Sequence, residues 1–405
     1  MKPFPSPPAV RLVATALLLA TPLVDASADV VTDWNIKAGE IVIESKLGTP
    51  PAIRVMAIVQ TAVHEAVVAA GHHPSAASAS VEAAVAAANR IALGKLLPAQ
   101  QTSIDSAYEA ALARITDGPA KAAGIRVGER AAAAVLARRA DDGPLPAENY
   151  RPHTTAGAYV PTATPAAPQW SKRKPWLMTG AAQFRPGPPP ALTSDTWARD
   201  FNEVRSLGAR ASRQRSAEQT DIARFWEYSL PPIYHGVVRS VASQPGRDVA
   251  RNARLYAAAT QAMDDAVISV FEAKYHYNFW RPATAIRNGD IDGNGATERD
   301  PGWVPLIDAP MHPEYPSAHS ILAAAVGTVL KADLAGRAAP LLSTSSPTAQ
   351  GTTRQWATVD DFVSEVAQAR IYEGIHYRTS TDVGADMGRK IGELAVAAHG
   401  VLAAD

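Results

Sequence analysis

LYAAATQAMDDAVISVFEAKY, residues 255–275, has the clearest helical pattern in the chain. Its larger apolar residues recur at helical spacing and form one stripe: Met263, Val267, Val270 and Phe271. Two acidic residues, Asp264 and Asp265, lie beside that stripe. The pattern predicts one long helix whose apolar face packs into a core.

Other segments repeat this pattern. ASVEAAVAAANRIALGKLL, residues 79–97, is alanine-rich with helical spacing, and the C-terminal part repeats apolar residues at Val383, Met387, Ile391 and Leu394. No segment shows a convincing alternation of apolar and polar residues, and no repeat of 20–50 residues stands out. We therefore predict an all-α fold, a helical bundle with long proline-rich connections.

A proline-rich segment interrupts the helical pattern. Residues 141–190 hold 11 of the 32 prolines, which block helix and remove backbone donors. This connection either divides two domains or wraps over the bundle and borders a site. We favour wrapping, and so predict a single all-α domain over residues 29–405. The Ser/Thr-rich segment 343–353 is predicted to be a loop between the last helices.

The N-terminus has the pattern of a secretory signal. Lys2 and Arg11 precede an apolar run over residues 12–24, and Ala26-Ser27-Ala28 follows it. We predict a signal peptide over residues 1–28 and export to the periplasm or the extracellular space. The alternative is an uncleaved anchor, although thirteen apolar-dominated residues are fewer than the roughly 20 that span a bilayer.

Composition excludes several classes of function. Lys and Arg total 39 and Asp and Glu total 39, so the chain lacks the basic excess that nucleic-acid binding requires. The chain has no cysteine, which excludes thiolate metal sites and cysteine nucleophiles. No later segment resembles a transmembrane helix, so we expect no membrane partner after signal cleavage. The oligomeric state stays open.

Two further motifs are partial matches. DIDGNGATERD, residues 290–300, imitates a calcium loop, but Pro301 stands where a bidentate glutamate should follow, so a polar turn is the better interpretation. His64-Glu65 begins like a zinc-protease motif, but the second histidine is replaced by Val68. Neither a GxSxG elbow nor a phosphate-binding GxxxxGK[ST] loop is present in the sequence.

Three segments carry residues that suit an oxyanion. KYHYNFWRP, residues 274–282, places Lys274 and Arg281 two helical turns apart on one face, and Pro282 puts Arg281 at a helix terminus. Taken alone, this pair could belong to a surface salt-bridge ladder. YPSAHSILAAAVGTVL, residues 315–330, begins a helix that is apolar all round and therefore buried, with Ser317 and His319 at its N-terminus. Such an end binds anions.

The third segment is ARIYEGIHYRTSTD, residues 369–382. Arg370 and His376 would point about 240° apart on a continuous helix, but Gly374 supplies a break that can bring both to one place. Thr358, with Asp361 three residues on, predicts the start of the helix that carries Arg370. The three segments together predict a pocket for a small tetrahedral oxyanion, with two histidines for covalent and proton-transfer chemistry.

The motifs K-x6-RP, PSxH and R-x5-H resemble the vanadium-dependent haloperoxidases and the type 2 phosphatidic acid phosphatases. FRPGPPPALTS and HPEYPSAHS are similar to the bacterial secreted branch. The resemblance implies vanadate as cofactor, with phosphate as a competing oxyanion. It implies that the equatorial oxygens are held by Lys274, Arg281, Ser317, the amide of Ala318, and Arg370. His376 would be the axial ligand of vanadium and His319 the acid–base residue, while Lys274 would polarise the peroxide.

The sequence departs from the family pattern at two positions. Ala318 replaces the usual glycine, and the HxxxD pattern that starts at His376 falls on Ser380. Asp382 is the candidate replacement for the missing carboxylate. His312 lies seven residues before His319, where resembling enzymes that oxidise bromide tend to have histidine.

Three functions stay open. The first is oxidation of bromide or iodide by hydrogen peroxide, with an organic acceptor for the oxidised halogen. The second is an exported acid phosphatase that hydrolyses phosphate monoesters through a phosphohistidine at His376. The third is an oxyanion-binding protein without turnover.

Overall fold

The structure, a computed structural model, describes residues 29–72, 79–142 and 145–400, so the predicted signal peptide lies outside the described residues. Within these ranges the chain forms thirteen α-helices: α1 Val30–Glu44, α2 Thr49–Gly71, α3 Val81–Leu96, α4 Gln101–Leu112, α5 Pro119–Arg138, α6 Asp195–Leu207, α7 Ala217–Trp226, α8 Pro232–Ala242, α9 Val249–Tyr277, α10 Pro282–Arg287, α11 Ala318–Leu334, α12 Val359–Tyr372 and α13 Arg378–His399. The strands are β1 Leu342–Ser345 and β2 Thr353–Trp356. The predicted all-α class is confirmed.

The predicted loop at 343–353 is wrong in part, because its ends form an antiparallel hairpin. Leu342 pairs with Trp356 and Ser345 with Thr353. Leu342 and Trp356 are both buried, so the hairpin joins the core at its open end. Ser and Thr hid this pairing, since they carry no apolar alternation that would mark a strand.

Helix α9 is the central element. It packs against α2, α11 and α13, and it is buried from Leu255 to Phe271. The side chain of Asp248 caps its N-terminus, and Asn278 ends it in the left-handed conformation. The long helix predicted over 255–275 is therefore confirmed, with several residues added at its N-terminal end.

Close packing of α11 on α13 places the two histidine motifs side by side. Gly388 faces α11 so closely that a Cβ added there would lie 2.2 Å from the carbonyl oxygen of Ile321. Only glycine permits this approach of two helix backbones. The start of α11 therefore lies beside the start of α13.

The proline-rich connection wraps over α9, as we favoured. The carboxylate of Asp265 accepts from the amides of Trp176 (2.7 Å), Leu177 (2.8 Å) and Met178 (3.0 Å). Further along, the hydroxyl of Tyr315 donates to the carbonyl of Gly187 (2.9 Å). The connection thus runs from the middle of α9 to the loop before α11.

The two partial motifs have structural roles. Asp292 accepts hydrogen bonds from Trp197 Nε1 (2.8 Å) and from the hydroxyl of Thr297, so residues 290–300 form a polar turn. Glu65 pairs with Arg138 on the surface. In the part of the chain that the structure describes, no group of three His, Cys, Asp or Glu residues could hold a metal ion.

His235 on α8 gives the fold a dependence on pH. Its imidazole is buried, and Nδ1 lies 3.1 Å from Asn35 Nδ2. Burial lowers the pKa of His235 from 6.5 to about 3. Below pH 6.5 the unfolded chain therefore binds a proton that the folded chain does not, and stability falls by up to about 1.4 kcal/mol per pH unit.

We expect His235→Gln to remove this contribution. The variant should be less stable than the wild type at pH 7, but its free energy of unfolding should fall less steeply between pH 6 and pH 4.5. Denaturant unfolding at several pH values measures both slopes. Parallel slopes for the two proteins would show that His235 does not titrate as we infer.

Candidate active site

All three predicted segments meet at the loop HPEYPSAHS. The ammonium group of Lys274, in the last turn of α9, donates to the carbonyls of Pro313 (3.0 Å) and Glu314 (2.8 Å). Lys274 has no exposed surface. A lysine predicted from sequence to belong to an oxyanion pocket is thus held inside the protein, against the loop that precedes α11.

Arg281 reaches the same loop from a different element than predicted. We expected Lys274 and Arg281 on one helical face, but α9 ends at Tyr277 and Arg281 is the N-cap residue of the short α10. Its guanidinium donates to the carbonyls of His312 (3.0 Å, from Nε) and Ile375 (2.8 Å, from Nη1). Arg281 Nη1 also lies 3.3 Å from His376 Nε2.

Ser317 caps α11 at the edge of this cluster. Its hydroxyl accepts from the amide of Ser320 at 3.4 Å, and Ala318 is the first helical residue. The free amides of the first turn and the positive end of the helix dipole therefore follow directly on the loop whose carbonyls Lys274 and Arg281 contact. The predicted helix start at Pro316 and Ser317 is confirmed.

Arg370 and His376 come together through the turn between α12 and α13. Gly374 has a φ of +80°, and a Cβ there would lie 2.4 Å from the carbonyl oxygen of Gly208. Both the backbone conformation and the close contact require glycine. The amide of His376 donates to the carbonyl of Arg370 (3.2 Å), so the turn closes tightly.

Arg370 is oriented by two acceptors. Its Nη1 donates to the carbonyl of Trp226 (2.8 Å) and to the carboxylate of Glu373 (2.7 Å). Its Nε is buried and has no hydrogen-bond partner among the described residues. One edge of the guanidinium is thus held by protein, while Nε is free to donate to a bound group.

His319 lies on the first turn of α11, with 8% of its surface exposed. The backbone of Tyr228 and Trp226 accepts hydrogen bonds from its imidazole. Within the described ranges, Nε2 is buried without a partner. The ring also packs 6.4 Å from that of Tyr234. One nitrogen is held in place, and the other is available for proton transfer.

His312 contacts the cluster directly. Its Nδ1 lies 2.9 Å from Arg281 Nη2, so Nδ1 accepts and the ring is neutral. Its ring packs 5.2 Å from that of Phe271, and the residue is half-buried. Burial, together with Lys274 and Arg281, holds the pKa of His312 well below its usual value.

Charge in the cluster is predominantly positive and buried. Burial lowers the pKa of Lys274 well below its usual value and that of Arg281 to about 10. Burial, with Arg281 adding to it, also keeps the pKa of His376 well below its usual value. Burying cations in this way is costly unless an anion compensates them, so the cluster favours a bound oxyanion.

Sequence reasoning missed two buried carboxylates. Glu314 Oε1 lies 2.6 Å from His376 Nδ1, and Glu373 pairs with Arg370. Burial raises the pKa of Glu314 to about 7, an effect that Lys274 and Arg281 oppose. Both residues stand inside quoted segments, but no local pattern marked either side chain as buried.

Asp382 is not the carboxylate beside His376. Its side chain is exposed, whereas Glu314 is fully buried against the imidazole. Ser380, where the HxxxD pattern has its aspartate, lies 3.4 Å from His376 Nδ1 through its hydroxyl. Asp382 lies two residues after Ser380 on α13, so its side chain points about 200° away from that of Ser380.

Comparisons with known proteins agree with this geometry. A family model described as the VCPO second helical-bundle domain matches residues 254–403, which contain all three motif segments. The structure of a bacterial vanadium-dependent iodoperoxidase superposes with a TM-score of 0.75 at 26% identity, over 91% of this chain and 95% of that chain. Residues 254–403 match that family model, and the fold over most of the chain is that of bacterial vanadium haloperoxidases.

Two other vanadium haloperoxidases show how far the likeness extends. A holo-type bacterial vanadium-dependent chloroperoxidase has a TM-score of 0.68 at 19% identity, over 87% of this chain and 93% of that chain, which shows the shared fold. Vanadium chloroperoxidase of Curvularia inaequalis is 26% identical over 219 residues, or 46% of this chain. The match spans 35% of that curated relative.

Proposed function

We propose that this chain is a vanadium haloperoxidase that binds vanadate and oxidises iodide or bromide with hydrogen peroxide. The observation that carries the proposal is the convergence of Arg281 Nη1 and His376 Nε2, 3.3 Å apart, inside a buried cationic cluster. A ligating nitrogen and a guanidinium donor that meet at one point match an anion bonded through its central atom and hydrogen-bonded through its oxygens.

The residues present fit vanadate. His376 would hold vanadate through Nε2, because its Nδ1 faces Glu314. Donors to the oxygens of vanadate would come from Lys274, Arg281, Arg370 and the start of α11. The Nε of Arg370 has no acceptor among the described residues, so it is free to donate to such an oxygen. When bound, vanadate supplies the centre at which peroxide is activated. His319 holds a free Nε2 for the proton that peroxide must lose.

Two observations support iodide or bromide as the halide. His312 lies against Arg281 rather than on a distant rim, so its neutral imidazole is part of the cluster. The superposition with the iodoperoxidase covers 95% of that enzyme's chain, with a TM-score of 0.75. Because chloride is harder to oxidise than iodide or bromide, we expect activity with both of these and none with chloride.

Paired assays on one preparation test this proposal. The purified chain is stripped of anions and divided; one part receives orthovanadate, hydrogen peroxide and iodide or bromide, and the other receives a chromogenic phosphate monoester without vanadate. Halide oxidation that requires vanadate is the expected result. Ester hydrolysis that vanadate abolishes, with no halide oxidation, would instead assign the acid phosphatase activity to the same residues, and binding without either reaction would leave an oxyanion-binding protein.

Arg281→Ala should weaken vanadate binding at least tenfold. The variant loses charge-assisted hydrogen bonds worth about 1.5–3 kcal/mol, and about 1.4 kcal/mol corresponds to a factor of ten. Among the described residues, Arg281 forms hydrogen bonds with carbonyls and histidines, so its removal leaves no carboxylate that it had paired. Arg389→Ala, which alters an exposed pair on α13, is the matched control. Vanadate titration by calorimetry gives both affinities, and equal values would misplace the pocket.

A further inference from the structure

We propose that Glu314 is the positioning residue for His376, in the place of the aspartate that the HxxxD pattern would put at position 380. The proposal rests on the proposed function only in that vanadate must bind at His376. It assigns the supporting carboxylate to the loop HPEYPSAHS, which also carries Ser317 and His319. In the family pattern that carboxylate belongs to the helix after the ligating histidine.

The geometry at His376 defines this role. Glu314 Oε1 lies 2.6 Å from His376 Nδ1 and accepts from the amide of Tyr377 at 3.1 Å. Both Glu314 and His376 are buried, with 0% and 1% of their surfaces exposed. A carboxylate at Nδ1 places the proton there, so that Nε2 keeps its lone pair and points toward Arg281 Nη1.

The backbone around Glu314 is held on both sides. The amide of Glu314 donates to the carbonyl of Phe279 (2.9 Å), and its carbonyl accepts from Lys274 Nζ (2.8 Å). The amide of Ser317 donates to the carbonyl of Ser380 (3.0 Å), which ties the loop to the first turn of α13. Residue 314 therefore directly precedes one motif segment and contacts the other two, and a positioning group needs such support.

The charge of Glu314 also suits this location. Its carboxylate lies near Lys274 and Arg281, whose positive charge offsets part of the cost of burying it. A buried carboxylate against the imidazole raises the donor strength of Nε2 toward a metal. Ser380 alone offers only a hydroxyl, 3.4 Å from Nδ1, and cannot supply this charge.

Relocating the carboxylate is the decisive test. We compare vanadate affinity, without peroxide or halide, for the wild type, Glu314→Gln, Glu314→Ala and the double variant Glu314→Ala/Ser380→Asp. Asp382→Asn is the control, since that exposed carboxylate should not contribute. Titration calorimetry and ⁵¹V NMR of bound vanadate provide readouts that do not depend on turnover.

Glu314→Ala should bind vanadate about 10- to 100-fold more weakly, as expected for the loss of a group that orients a metal ligand. Glu314→Gln keeps the shape and the acceptor but loses the charge, so its loss should be smaller yet at least threefold. Ser380→Asp in the Glu314→Ala background should restore most of the affinity, because it returns a carboxylate to the same imidazole. A residue that only stabilised the fold would show no such rescue.

Wild-type affinity in Glu314→Ala, or no gain in the double variant over Glu314→Ala, would overturn the proposal. If Glu314→Ala does not fold, Glu314→Gln carries the test, and an affinity equal to that of the wild type would overturn it. Vanadate binding by a wild type that oxidises no halide would contradict the proposed function but leave this comparison intact. The two proposals therefore fail separately.

Discussion

His319→Ala should lower the rate of vanadate-dependent halide oxidation by about 10²- to 10⁴-fold, the usual contribution of a positioned acid–base group. His319 sits at the N-terminus of α11 with a buried Nε2 that has no partner among the described residues. The pKa of His319 is held well below its usual value by burial and then by Arg370, so the imidazole is neutral and can accept a proton. Loss of this acceptor removes proton transfer rather than binding.

Vanadate affinity separates this role from that of His376. We expect His319→Ala to bind vanadate within about tenfold of the wild type, since charged donors elsewhere supply most of the binding free energy. His153→Ala, an exposed histidine in the proline-rich connection, is the control and should leave the rate unchanged. Equal losses of affinity and rate in His319→Ala would make it a vanadate-binding residue instead.

Asp264→Ala should destabilise the protein by about 3–5 kcal/mol, the cost of breaking a buried ion pair. Asp264 Oδ2 accepts from Arg54 Nη1 (2.6 Å) and from Trp176 Nε1 (2.7 Å), and Asp264 has no exposed surface. The substitution leaves a buried guanidinium with one carboxylate fewer and an indole N–H without its acceptor. It also releases one attachment of the proline-rich connection to α9.

Denaturant unfolding measures this loss, and limited proteolysis locates it. We expect faster cleavage within residues 145–190 of Asp264→Ala than of the wild type, because Trp176 anchors that connection. Glu40→Ala removes half of an exposed ion pair with Lys37 and should cost less than about 1 kcal/mol. A loss of similar size in both variants would show that the Arg54–Asp264 pair is not a principal anchor.

Local signals in the sequence located the helices that carry the site. Thr358 and Asp361 form the predicted capping box at the start of α12, and Gly374 makes the predicted break before His376. Such signals act within a few residues of the chain, so the sequence displays them directly. The apolar periodicity of 255–275 predicted α9 correctly for the same reason.

Contacts between segments that are far apart in the chain could not be predicted from local sequence patterns. Glu314 meets His376 across 62 residues, and nothing in the local pattern distinguishes it from Asp382, which is nearer in sequence but exposed. The helix containing Lys274 ends because Asn278 adopts the left-handed conformation. The seven-residue spacing of Lys274 and Arg281 fits a continuous helix, so it gave no sign of this end. Pairing of β1 with β2 likewise depends on burial of Leu342 and Trp356 by the helices around them.

One titration tests the central claim, that His376 in this cationic cluster binds the vanadate on which halide oxidation depends. Orthovanadate is added in small increments to the anion-free chain and to His376→Ala, and iodide oxidation by hydrogen peroxide is measured after each addition. We expect the rate to rise to a plateau at one vanadate per wild-type chain and to stay at background in His376→Ala. Iodide oxidation without vanadate, or an identical titration for His376→Ala, would contradict it.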